Sequence, residues 1–200
     1  TTWRPLDSLR LYGRADRFFR YPAIDEVVAY QGYDLSVPFN ADLDSESGWG
    51  AEIGAELALS GASFHLNAFA QKVDDLIAFD YTRNLNVNIA DADRAGLEAG
   101  CKFVLGNWRA GLNYTLLKVE FTSGPYKGSD LYLVPRHQAG GHIEWNNGRI
   151  GIRASGRYTG WCWQGNDFRN VMERLPAYFV MDIVARVRVA DGVHLYAAVD

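Results

Sequence analysis

Two hundred residues suffice for one domain with a large core, and 48% hydrophobic with 14% aromatic content excludes a disordered polar chain. A formal charge of −4, from Lys+Arg 20 against Asp+Glu 24 and with no basic run, argues against nucleic acid as a partner. Two cysteines, Cys101 and Cys162, are too few for a disulfide framework, and no apolar stretch approaches the roughly 18 to 20 residues of a spanning helix.

The first strand is expected over about Leu6 to Asp16, where Leu9, Leu11, Gly13 and Ala15 oppose Arg10, Tyr12 and Arg14. The stretch before it, Thr1-Thr2-Trp3-Arg4-Pro5, lacks the apolar core of a signal peptide. A long polar connection follows, to about Gly48. From Trp49 to Leu59 the alternation is unbroken: Trp49, Ala51, Ile53, Ala55, Leu57 and Leu59 share one face, and Gly50, Glu52, Gly54, Glu56 and Ala58 the other. Ser60-Gly61 turns this strand tightly into Ala62, Phe64, Leu66, Ala68 and Ala70.

The Asn- and Asp-rich stretch from about Phe79 to Asp93 reads as a loop. Ala95, Leu97, Ala99, Cys101 and Phe103 then alternate with Gly96, Glu98, Gly100 and Lys102, and Gly106-Asn107 turns the chain into Trp108, Ala110, Leu112, Tyr114 and Leu116. A loop over 122–134 carries Gly124-Pro125 and Gly128, and Pro135 opens the next strand, where its missing N–H costs least. Asn146-Asn147-Gly148 supplies a hairpin turn before Ile150, Ile152 and Ala154. After a loop over about 160–176, Phe179, Met181, Ile183, Ala185 and Val187 oppose Asp182, Arg186 and Arg188, and Asp191-Gly192 leads into a last piece, His194 to Val199.

The pattern therefore predicts an all-β, antiparallel, up-and-down sheet of about nine strands. Short turns near 61, 107, 147 and 192 alternate with long loops near 17–47, 79–93, 122–134 and 160–176, as in a transmembrane β-barrel with tight turns on one side and large loops on the other. An odd count cannot close as a simple meander, so the chain is expected to be a segment of a larger barrel. A soluble sandwich with one wet face would show similar alternation. Aromatics at the strand ends (Trp49, Trp108, Tyr114, Trp145, Tyr158, Phe179) and mixed charges on the polar faces favour a lipid-facing exterior around an aqueous lumen.

No catalytic residue is assigned, because Gly-x-Ser-x-Gly, a phosphate loop, His-Glu-x-x-His and Cys-x-x-Cys are all missing from the sequence. No metal ligand is assigned either: His65, His137, His142 and His194 are scattered, and Asp42 to Gly48 lacks the sixth-position glycine and distal glutamate of a calcium loop. Trp161-Cys162-Trp163-Gln164 offers flat apolar area either for a ligand or for loop and girdle packing, and Arg17-Phe18-Phe19-Arg20-Tyr21 has the same two readings.

In chain order, these residues resemble the C-terminal part of the barrel of TonB-dependent outer-membrane receptors. Phe19-Arg20-Tyr21-Pro22 with Ile24-Asp25-Glu26 is similar to that family's Phe-Arg-x-Pro segment and downstream Glu. Asp42-Leu43-Asp44-Ser45-Glu46-Ser47 before Glu52-Ile53-Gly54 resembles its Asn-Pro-x-Leu-x-Pro-Glu approach to a strand, with Ser45 where proline is usual. Val73-Asp74-Asp75-Leu76-Ile77, Asn88 with Ala95-Gly96-Leu97-Glu98, and Asn113-Tyr114-Thr115 follow in family order. So do Val134-Pro135-Arg136-His137, Leu175-Pro176-Ala177-Tyr178 with Asp182, and Leu195 to Asp200.

The resemblance spans residues 1–200 and implies a receptor of about 22 strands in the outer membrane of a Gram-negative bacterium. Such a receptor binds a scarce nutrient, an iron–siderophore complex or a cobalamin-like ligand, and imports it when the TonB system pulls on a plug domain. The plug, the early strands and the closing strand would lie outside this chain. By the same resemblance, ligand contacts are expected at Arg20, Tyr21, Tyr126, Trp161 and Trp163, plug packing at charges such as Glu52, Glu56, Arg94, Glu98, Arg153 and Arg157, and no cofactor is implied. The two rival readings are a small self-contained outer-membrane barrel, an adhesin or enzyme, and a soluble β-sandwich binding module.

Overall fold

The computed structural model describes residues 1–28, 40–80 and 83–199. Its strands are β1 (Thr2–Leu6), β2 (Leu9–Arg20), β3 (Glu46–Leu59), β4 (Ala62–Asp80), β5 (Leu85–Leu105), β6 (Trp108–Phe121), β7 (His137–Asn146), β8 (Ile150–Thr159), β9 (Cys162–Trp163), β10 (Arg174–Leu175), β11 (Tyr178–Ala190) and β12 (Val193–Val199). A four-residue helix, α1 (Ile24–Val27), follows β2. Ten strands form one antiparallel sheet in chain order, β1 to β8 and then β11 and β12, while β9 and β10 pair in a separate ribbon.

The strand count is a small correction: ten, where the alternation predicts about nine. Thr2–Leu6 pairs with β2 across a tight turn at Asp7-Ser8, but it is too short to show a period and it carries Pro5. Proline is tolerated there because β1 bonds on one side only, so its missing N–H breaks no ladder. The even count also removes parity as the reason the sheet stays open. Among the described residues β1 and β12 each have a single strand neighbour, and they do not meet.

The loop expected over 79–93 is a further correction, since β4 and β5 run on as a long hairpin, the former to Asp80 and the latter from Leu85. The register breaks between Val73 and Ile77, with Asp75 in the left-handed region at φ 61°. The polar residues that signal a loop instead satisfy the spare groups at this bulge. Asn88 Nδ2 donates to the carbonyls of Asp75 (2.8 Å) and Asp44 (3.0 Å), and its Oδ1 accepts the Asp44 N–H (2.8 Å). Of the connection expected over 17–47, residues 29–39 lie outside the described residues, as do 81, 82 and the final Asp200.

Register sets the two faces. Gly13, Ile53, Ala68, Leu97 and Leu116 stand opposite one another from β2 to β6, and the next row is Tyr12, Gly54, Asn67, Glu98 and Thr115. The apolar rows end in aromatic pairs, Trp108 opposite Trp145 at the short-turn end and Tyr158 opposite Phe179 at the other. On this face Ile53 is 68% exposed, Leu112 57% and Trp49 59%. No other sheet covers them among the described residues, unlike the buried inner face of a packed sandwich. The buried apolar cluster, Ala90, Phe121 and Phe168, sits instead among the long loops.

Candidate functional site

The long-loop end is assembled around two latches. In the first, Arg20 closes β2 and Glu46 opens β3 directly opposite it. The guanidinium donates through Nε and Nη2 to both Glu46 oxygens at 2.8 Å and through Nη1 to Glu26 Oε2 of α1 at 2.7 Å. Glu26 also accepts the Ala23 N–H, and Glu46 Oε1 accepts the Ile77 N–H at 2.9 Å, so one arginine joins α1, β3 and the β4 bulge. The Glu46 hydrogen bond, then that of Glu26, raises the Arg20 pKa. Burial pushes Glu46 upward, but the Arg20 hydrogen bond, the Ile77 N–H and the neighbouring positive charge outweigh it and hold the carboxylate below its ordinary range. Asp75 is raised by burial and then by Asp91, Asp44 and Asp74.

The other latch ties the loop after β6 to the loop after β8. Asn170, at φ 56°, accepts the Asp130 N–H (2.6 Å) and donates to the Asp130 carbonyl (2.9 Å). Asp167, 2% exposed, accepts the N–H groups of Val171 and Met172 at 3.0 and 2.9 Å, closing the turn that carries Asn170. Phe168 packs beneath: Tyr126 stacks on it with centroids 4.9 Å apart, and Phe121 and Tyr132 meet its ring at 6.2 and 5.0 Å.

The residues expected to bind a ligand fall in distinct settings. Arg20 is committed to two carboxylates, although its side chain is 42% exposed. Tyr21 is 73% exposed and meets Phe19 edge-on at 5.3 Å. Tyr126 belongs to the loop core. Trp161 and Trp163 lie edge-on at 5.9 Å, with the Arg174 guanidinium 3.8 and 4.5 Å from their ring centroids. That stack exists because the β9–β10 ribbon places Arg174 opposite Trp163. The Trp163 indole N–H is buried with no acceptor among the described residues. Arg174, Phe168, Asp167 and Asn170 escape sequence reading: Phe168 and Asn170 meet residues of the β6 end and the loop after it, while Arg174 and Asp167 meet partners within their own connection that only its folding brings together.

Below the loops, the charged face keeps a low profile because large side chains lie across glycines on neighbouring strands. A Cβ on Gly54 would sit 2.3 Å from Tyr12 Cζ, one on Gly100 2.2 Å from His65 Cε1, and one on Gly111 2.7 Å from His142 Cε1. Beside this stretch, β6, β7, β8 and β11 line a polar hollow of about 710 Å³. Among the described residues no group of three or more His, Cys, Asp or Glu side chains is set to hold a metal ion.

The chain matches a family model described as TonB dependent receptor-like, beta-barrel, over residues 1–200. No curated protein matches it. Among solved structures, a copper transporter, OprC, shares 19% identity at a TM-score of 0.80, over 98% of this chain and 31% of that one. The ferric yersiniabactin uptake receptor FyuA from Yersinia pestis shares 20% at 0.76, over 98% and 30%. The siderophore receptor PiuA from Acinetobacter baumannii shares 20% at 0.75, again over 98% and 30%. At these identities the likeness is one of fold. The chain spans about three tenths of the length of those structures.

Proposed function

Because the chain belongs to the TonB-dependent receptor β-barrel family, we propose that it forms the C-terminal part of a roughly 22-stranded outer-membrane receptor that imports a scarce nutrient. The favoured cargo is an iron–siderophore complex. The carrying observation is the two-faced sheet, whose apolar face has no protein layer over it among the described residues while its opposite face is charged. In this reading hydrocarbon covers the apolar face, and the charged face lines the aqueous lumen. FyuA is a ferric yersiniabactin uptake receptor and PiuA a siderophore receptor, which supports the choice of cargo.

The loop cluster faces the cell exterior in this reading and meets the ligand. Trp161 and Trp163, stiffened by Arg174, supply stacking area. Tyr21 reaches outward from the first latch. Arg20 offers the guanidinium hydrogens that its two carboxylates leave free, and Tyr126 presents the edge of the loop core. TonB would act through a plug domain contributed by the rest of the receptor.

Deleting the gene for the whole receptor and comparing growth under iron limitation with cobalamin-dependent growth tests the proposal. A defect confined to iron limitation, relieved by one ferric siderophore and dependent on TonB, is the expected result. Normal growth in both assays would defeat the uptake reading.

A further inference from the structure

Toward the long loops, the apolar face ends in a line of charges that the register draws across neighbouring strands. Arg17, Trp49, Lys72, Asp93 and Glu120 stand opposite one another from β2 to β6, and Lys118 lies one step lower, opposite Ala95. Side-chain alternation puts them on the same face as the row of Gly13, Ile53, Ala68, Leu97 and Leu116. Between Leu59 and Trp49, a rise of about 3.3 Å per residue at a tilt of about 40° sets the line about 25 Å above the short turns, the height of the apolar band of an outer-membrane barrel. The short-turn end of this face has no such line and closes in Phe64, Phe103, Trp108 and Trp145. From β7 to β12 the long-loop end is aromatic instead, with Tyr158 opposite Phe179 and no lysine or arginine on this face among the described residues.

The cations along the line are held in place and still reachable. Lys72 Nζ donates to Asp74 at 2.6 Å and Lys118 Nζ to Glu120, yet the two lysine side chains are 57% and 53% exposed. An ammonium has three hydrogens, and a single carboxylate bond leaves two of them to donate elsewhere. The Arg17 guanidinium lies over the Trp49 ring, 5.8 Å from its centroid. Adjacent strands are about 4.8 Å apart, so Arg17, Lys72 and Lys118, on every second strand, recur at roughly 10 Å. A plug would meet the opposite, charged face, and further barrel strands would pair with β1 and β12, so neither would cover this line.

We propose that Arg17, Lys72 and Lys118 dock the phosphate groups of a phosphorylated glycolipid in the outer leaflet, with Asp93 between them accepting a sugar hydroxyl. The docking line rests on the membrane placement of the uptake reading, in which the long loops face the exterior and this face meets lipid. Cations recurring at roughly 10 Å suit a headgroup whose phosphates are spread across sugars, and interleaved carboxylates suit hydroxyl donors. A plain phospholipid would call for neither, and it would give the short-turn end equal reason to carry cations.

The test uses the intact receptor in detergent with EDTA present, so that no divalent ion bridges lipid to carboxylate. Native mass spectrometry compares retention of bisphosphorylated lipid A, the same lipid with its phosphates removed, and phosphatidylglycerol. Lipid A is expected to bind about tenfold or more tighter than either of the others, and R17Q/K72Q/K118Q should abolish that preference, since it removes the charge-assisted bonds. R17K/K72R/K118R should keep part of it, and R149Q, in the short turn after β7, should leave it unchanged. Heat-modifiable gel mobility confirms that each variant is folded. Equal retention of the dephosphorylated lipid or of phosphatidylglycerol, unaltered preference in R17Q/K72Q/K118Q, or an equal loss in R149Q would overturn the docking line. TonB-dependent uptake in cells reports on the receptor reading separately: uptake without lipid A preference removes the docking line alone, and lipid A preference without uptake removes the transport reading alone.

Discussion

At the scale of residues, close approach decides what the charged face tolerates. Tyr12 lies over Gly54, so Gly54→Val must push the ring away, and the expected cost is about 1–3 kcal/mol. Adding Tyr12→Ser should recover most of it, because the conflict is with that ring; denaturant unfolding of the intact receptor and a double-mutant cycle would measure the coupling. Glu46 makes a different case. Glu46→Ala strands Arg20 with one carboxylate and leaves the Ile77 N–H without its acceptor. Water screens the half-exposed guanidinium, so about 1–2 kcal/mol of local stability is expected to go, read as faster amide exchange at Ile77. Its pH dependence has a fixed sign. The folded pKa lies below the ordinary 4.5, so the latch contributes fully above that value and fades as pH falls through the lower one. Ile77 protection, corrected for intrinsic exchange, should be flat at neutral pH and decline only in acid; loss on raising the pH would contradict the assignment.

At the scale of elements, the period of two and the lengths of the connections are readable in the sequence, and every strand it predicts is present. The departures have physical causes. β1 escapes a pattern reading because five residues with a proline show no period, yet pairing along the flank of β2 stabilises it. The tops of β4 and β5 resemble loop because Asn and Asp favour turns, but here those side chains close the hydrogen bonds of a bulge. The assignment of faces is testable on one strand. Ile53→Arg, a charge placed on the apolar face, is expected to cost about 2–4 kcal/mol in lipid, and Glu52→Gln much less. Equilibrium folding into vesicles would give both values, and equal penalties would reverse the faces.

At the scale of the whole molecule, among the described residues β1 and β12 each leave one edge unpaired, and the large apolar face has no protein cover. Expressed alone, residues 1–200 are therefore expected to aggregate in buffer and to require detergent, as size-exclusion chromatography with and without detergent would show. A soluble, monodisperse monomer would defeat the membrane reading. The line of charges at the head of the apolar face is also a property of this scale, since it exists only once register has put residues from distant segments on one surface.

Sequence alone determined that the chain is an antiparallel meander with one apolar and one charged face, because side-chain alternation is a local property of each strand. The ordered motifs likewise carried the family resemblance. Of the candidate site, the identities of Tyr21, Trp161 and Trp163 were legible, but their settings were not. That Arg20 is held between Glu46 and Glu26, that Arg174 lies over two tryptophans, and that Arg153 and Arg157 have no partner among the described residues was decided only by tertiary structure. Each depends on which segments the register and the loop core bring within a few ångströms of one another, and no spacing along the chain records that distance.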